Sequence, residues 1–433
     1  MRPGVATEHR LAVLLVAGLS VGCTPAPGAL PSATPPEPPP RGAAADDDDD
    51  PLNELCALRL QCSEPLVYNE KQTCEFAVER EDGTVEYEGP TTAWGRGRSS
   101  SRVSKTQYGL ELQTESGEEA AANLLGMGRE SDWVLNGNWY DRSLVRNKTG
   151  YDLFRALGDS RYAPQSALCE LELDGEYRGV YSLIERIKRD DDRVDIDDVD
   201  DGSAFVVKKL DHECFYRLTT ARHCWKLISP NDAALPDGTA EALTSWFVAW
   251  EAALLGPPAS SADDGAFEYV DLDSAVDVVL LEEFMKNEDA WTHSMHAWKD
   301  VGGKMHFAPW DLDMTWGNLW YHDTYGSPET WVNHRPEMVT GMSDTEPFRE
   351  RMVERWAELR AGPMATEAVL ERISANQAIL GDAVDRNFDR WPIEDVDYGN
   401  WFYKVYSYAE EDAWIRSWIE TRLAWMDANV GDY

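Results

Sequence analysis

Asn287-Glu288-Asp289-Ala290-Trp291 and Pro309-Trp310-Asp311-Leu312-Asp313 stand at the two ends of a short β excursion. Between them, Met295 to Trp298 and Met305-His306-Phe307-Ala308 read as paired strands around the turn Val301-Gly302-Gly303-Lys304. A hairpin brings its own ends together, so Asp289 and Asp311 are expected to face one another across a cleft. Phosphoryl transfer uses such a pair. One carboxylate orients or deprotonates the attacking hydroxyl, and another holds the magnesium that bridges the phosphate oxygens. Aspartates at turns also serve simply as caps, and that use stays open at this point.

Outward from the excursion the pattern is helical, with candidates at 239–254, 273–286, 345–360, 365–382 and 408–429. The first half reads differently. Cys74 to Arg80 alternates and turns at Glu81-Asp82-Gly83; a polar segment from Gly95 to Arg102 then leads into a second strand, Tyr108 to Leu112. One helix is expected near 144–157, from the spacing of Leu144, Val145, Tyr151, Phe154 and Leu157, with Gly158 as its stop. Leu168 to Leu173, Asp174-Gly175 and Tyr177 to Ile187 form a hairpin, and Ala204 to Lys208 a further strand. A β-rich first half carrying one helix, followed by a helical half with a small hairpin, is an α+β order. It is the order of a two-lobed, atypical protein-kinase-like fold, with an N-lobe over about 74–210 and a C-lobe over about 230–430.

The chain has 433 residues and 79 acidic against 40 basic side chains, a formal charge of −39. That field repels nucleic acid and anionic headgroups, so neither is an expected partner, and any phosphorylated ligand needs a local cluster of cations or a metal. Arg2, His9 and Arg10 precede the apolar run Leu11 to Leu19 and the small residues leading to Cys23. This run is too short to span a bilayer and reads as an export signal over residues 1–23. The Gly22-Cys23 ending resembles a bacterial lipobox with Cys23 as the lipidated residue, which implies membrane attachment by the lipid alone. Residues 24–51, rich in Pro, Ala and Asp, are expected to be an extended linker before a domain over 52–433. Cys56, Cys62, Cys74, Cys169, Cys214 and Cys224 suit disulfides in an exported chain, and Cys214 with Cys224 is the first expected pair because it closes a short loop.

The stretch from Asp271 to Asn318 resembles the signature of the CotH family, an Asn-x-Asp followed by a hairpin and a Trp-Asp-x-Asp. Gly95 to Ser100, Asp132 to Leu135 with Asp141 to Asn147, and Leu173 to Tyr181 followed by Glu185 resemble further family blocks in the same order. So does the terminal helix with Trp418, Ile419 and Arg422. The resemblance covers roughly residues 75 to 430. It implies an atypical kinase that binds ATP with Mg2+ or Mn2+ and phosphorylates protein hydroxyls. On that resemblance Asp289 is the catalytic base, Asp311 a metal ligand, and Asp313 a second ligand or a structural acid. Lys105 is implied to contact ATP phosphates, helped by Arg96, Arg98 and Arg102.

Two positions depart from the family pattern. Ser294 stands where the family places an Asn metal ligand, and Glu111 where a second basic residue is frequent. A catalytically inert, kinase-like surface lipoprotein that binds a protein or glycan is therefore the alternative, and a metal-dependent hydrolase built on the same aspartates a third reading. His293, His296 and His306 lie around the hairpin and could hold a transition metal, although strand alternation also allows them to be merely exposed. Trp414, Trp418 and Trp425 have the spacing of a packed helix face, which favours core over a glycan platform.

Overall fold

The computed structural model describes residues 50–98, 100–210, 214–219, 224–319, 326–332, 337–393 and 403–433. The export signal, Cys23, nearly all of the linker, Ser99 and Trp401 lie outside the described residues. The protein is a mixed α+β structure, with strands concentrated in its first half and helices in its second.

Strands β1 (Cys56–Cys62), β2 (Gln72–Glu79), β3 (Val85–Arg96) and β4 (Gln107–Leu112) come first. A two-residue ladder, β5 (Ala122–Asn123) with β6 (Arg129–Glu130), precedes β7 (Asp132–Asn136), helix α1 (Arg146–Ala156), β8 (Ser166–Leu173) and β9 (Glu176–Glu185). A closed barrel forms in the order β1-β2-β3-β4-β7-β9-β8, sealed by parallel pairing of β1 with β8. Closure leaves no open edge. Alternation explains the interior: Cys56, Leu58 and Leu60 of β1 point inward while Ala57, Arg59 and Gln61 are exposed. Phe76, Val78, Leu110, Leu112, Trp133, Leu135, Leu171 and Leu183 complete that core. Two disulfides pin the seam, Cys56–Cys169 across β1 and β8 and Cys62–Cys74 across β1 and β2.

The strand expected at 204–208 is β10 (Phe205–Leu210), and it does not join the barrel. It enters a five-stranded sheet in the order β11-β12-β10-β13-β14, with β11 (Tyr216–Arg217), β12 (Cys224–Ser229), β13 (Met295–Lys299) and β14 (Met305–Pro309). The hairpin of the second half thus finds its partner far back in the chain, Phe205 opposite Lys299 and Lys208 opposite His296. A two-stranded hairpin is marginal alone, so pairing with β10 supplies what its own sequence lacks. Cys214 and Cys224 form the third disulfide, beside β11 and β12.

Helices α2 (Thr239–Leu254), α3 (Leu272–Met285), α4 (Glu337–Ser343), α5 (Glu346–Arg360), α6 (Thr366–Leu380), α7 (Ala383–Arg390) and α8 (Tyr408–Asn429) make the rest. α3 is the axis. The Asp271 side chain accepts the Ser274 N–H as its N-cap, and every residue from Ser274 to Met285 is buried. A helix apolar almost all round belongs inside, against β14, α5, α1 and α8. Its acids need partners there: Asp277 pairs with Arg161 and Arg355, and Glu283 with Arg422. Among the described residues no helix is long and apolar enough to cross a membrane.

Candidate active site

α3 ends at Lys286, whose left-handed backbone (φ 57°) turns the chain toward the hairpin. The Asn287 carboxamide oxygen then accepts the Asp289 N–H at 3.2 Å. The Asp289 carbonyl in turn accepts the N–H groups of Thr292, His293 and Ser294 at 3.1, 2.9 and 3.1 Å. These bonds wrap 287–294 into a compact turn. The Trp310 N–H donates to the Ser294 carbonyl at 3.2 Å and closes the base of the hairpin, placing the Asp289 turn beside Asp311.

Asp289, Ser294, Asp311 and Asp313 line one small cavity of about 50 Å³, together with Asn287, Glu288, Ser100 and Gln107. The Asp289 side chain is 55% exposed, whereas Ser294 and Asp313 are buried. Asp311 is open to water inside the cavity yet closely surrounded by protein. Burial and the charge of Asp289 push its pKa up, against the pull of Arg96. Burial, then repulsion by Asp311, Asp141 and Asp289, push Asp313 well above the ordinary carboxylate value. For Asp289 burial works upward, but hydrogen bonding and charge from His293, with Thr292 and Arg98, win and hold it low. Oxygens that repel one another in a confined space suit a hard cation.

Ser100, Gln107 and Asp311 also line a second cavity of about 410 Å³, so the two are neighbours that share these three residues. Its wall carries Arg96, Arg98, Arg186 and Lys208, and its aromatic lining includes Tyr68, Trp94 and Trp133. Arg98 touches His293, and Arg186 also reaches Asp132 at 2.9 Å. Four cations on one wall are notable in a chain of charge −39.

Two expected phosphate contacts lie elsewhere. Lys105 is buried, its ammonium donating to the Val180 carbonyl at 2.6 Å and to Asn387 Oδ1 at 2.7 Å. It lines a separate crevice with Asp141 and Trp391 and ties the barrel to α7. Burial pushes its pKa well down. Arg102 is exposed on a 3-10 turn and lines neither cavity. Glu111, the other departure, bonds Lys71 at 2.6 Å and also lines neither. The larger cavity is instead lined by Arg186 and Lys208, which the sequence reading did not single out. Arg186 follows Glu185 at the end of β9, and Lys208 is one lysine after Phe205-Val206-Val207. Neither has a local pattern that marks it; only the meeting of β9 and β10 at the cavity does.

The histidines do not gather into a metal site. His296 is buried against Trp310, and His306 stacks on Trp298 beside Asp271. Among the described residues the acidic triplet with ligand atoms within 4.8 Å of one another is Glu119, Glu130 and Asp132. Its centre is already served by an amine, since Lys188 lies 2.8 Å from Glu130 and 2.9 Å from Asp132.

Fold and site together define an α+β protein whose acid-lined cavity shares residues with a cation-lined one, a combination suited to a polyanion bound with a metal. The sequence profile of the CotH kinase protein family matches residues 95–426, and the chain belongs to that family. A comparison with curated proteins finds no match.

Proposed function

We propose that this protein is an extracytoplasmic, two-lobed kinase of the CotH type, transferring the γ-phosphate of ATP to a protein hydroxyl. The observation that carries the reading is that Asp311, Ser100 and Gln107 line both cavities, which sets the acids next to the cations. The larger space takes the nucleotide, with Arg96, Arg98, Arg186 and Lys208 toward its phosphates and the aromatic lining toward its base. Asp311 and Asp313, with Ser294, would hold Mg2+ or Mn2+, which when bound neutralises phosphate charge. Asp289, kept low by His293, accepts the proton of the acceptor hydroxyl as the new O–P bond forms and ADP leaves with the broken bond. Three disulfides fit an exported protein, and lipidation at Cys23 would tether it to a bacterial membrane or cell surface.

The test is transfer of labelled phosphate from ATP with Mn2+ to the protein itself or to a co-exported protein. Asp289→Ala is expected to lower transfer by about 100-fold or more while nucleotide binding persists. Asp311→Ala is expected to abolish both transfer and the thermal shift caused by ATP with Mn2+. A wild-type protein that ATP and metal do not stabilise would sink the reading. Ser294 and the outward-facing Asp289 side chain favour a second one, an inert binder on the same scaffold. That protein shows the thermal shift but no transfer.

A further inference from the structure

Asp311 holds an unusual backbone. Its φ of 61° is in the left-handed region, which a non-glycine residue occupies at a cost, and the surrounding structure must compensate. The compensation comes from one helix. The Asp311 N–H donates to the Tyr151 hydroxyl at 3.1 Å, and the next N–H, of Leu312, donates to Asn147 Oδ1 at 2.7 Å. The residue before Asn147 joins in, since Arg146 Nε donates to the Thr315 carbonyl at 3.0 Å. Gly150 lets α1 lie directly on the loop, since a Cβ there would overlap Leu312 and Met285. Arg146 is itself locked between Asp141 and Glu411, so α1 does not yield easily. Tyr151 is buried, stacks on Trp310 and lines the larger cavity beside Asp311.

We infer that Asn147 and Tyr151 are positioning residues, gripping consecutive backbone N–H groups so that the Asp311 carboxylate is presented to a divalent cation in the acidic cavity. Backbone strain at one residue is thus offset by two side chains 4 residues apart on α1, and the two bonds act on Asp311 without touching its carboxylate. This rests on the reading of Asp311 as a metal ligand.

The experiment compares Mn2+ binding by the wild-type protein and Tyr151→Phe, using the metal alone and no nucleotide, together with amide hydrogen exchange over the Asp311 segment. Phenylalanine keeps the ring and its stack and removes only the acceptor. The expected result is about tenfold weaker Mn2+ binding and faster exchange at Asp311, with a melting temperature within a few degrees of wild type. Equal Mn2+ affinity in the two proteins overturns the assignment, as does a general loss of thermal stability, which would mark the hydroxyl as structural. A wild type that binds Mn2+ in a Tyr151-dependent way but neither binds ATP nor transfers phosphate removes the kinase reading and leaves this one standing. Full phosphate transfer with a Tyr151→Phe protein that binds Mn2+ normally does the reverse.

Discussion

The barrel and the body around α3 solve burial in opposite ways. The barrel interior takes mostly apolar residues from alternating strands, as the burial of Leu58 and Leu60 against exposed Arg59 shows, with Glu185 of β9 buried against Arg193 as an exception. Two disulfides then reinforce it. The α3 body buries charge outright: Asp277, Glu282 and Glu283 on α3, Arg146 on α1 and Arg422 on α8. Burying a charge is costly unless it is paired, so this body depends on geometry more than on composition. The difference bears on the site. The barrel side contributes Arg96 and Arg186 to the larger cavity, while Asp289, Asp311 and Asp313 of the smaller one come from the loops at the ends of the β13–β14 hairpin.

The comparison breaks most visibly at a buried ion pair. Arg422→Ala removes the guanidinium that bonds the Glu283 carboxylate and main-chain oxygen and takes a counter-ion from a buried acid, to which the Val332 N–H and the Tyr433 hydroxyl still donate. A loss of about 3–5 kcal/mol in urea unfolding is expected. Deleting the seam disulfide with Cys56→Ser and Cys169→Ser should cost about 2–4 kcal/mol, because it releases a sequence span of 113 residues. Cys62–Cys74 spans 12 residues, and its removal should cost less. A barrel no more sensitive than surface positions would contradict the contrast.

The smallest effect separates paired from unpaired buried acids. Glu282 is buried beside the Asn287 carboxamide, and no cation pairs with its carboxylate among the described residues. Burial raises its pKa well above the ordinary carboxylate value. The folded state therefore holds a proton that the unfolded chain has released, and stability falls as pH rises from the unfolded carboxylate range through the folded pKa. Glu282→Gln keeps the shape and removes the ionisation. It should leave stability at low pH nearly unchanged and flatten that decline, read as melting temperature against pH. An unaltered slope would show that Glu282 does not titrate in this range.

Much of the helical half was legible because its period is local. The helices expected at 239–254, 345–360 and 408–429 appear at Thr239–Leu254, Glu346–Arg360 and Tyr408–Asn429. Several strands were not. β1 of the barrel and β12 of the five-stranded sheet are short runs whose meaning depends on partner strands elsewhere in the chain, Cys56 beside Cys169 and Leu227 beside Val207. The site divides along the same line. Asp289, Ser294, Asp311 and Asp313 share one hairpin and could be placed together from sequence, whereas the place of Lys105, bonded to Asn387 in a separate crevice, could not.

By itself, the sequence determined the α+β order, the family and the convergence of acids at the ends of one hairpin, since turn chemistry and alternation act over a few residues. The tertiary structure alone decided which cations face those acids, where β10 pairs, and that α1 holds the Asp311 backbone. Those contacts join residues far apart in the chain, and no local propensity encodes the free energy of bringing them together.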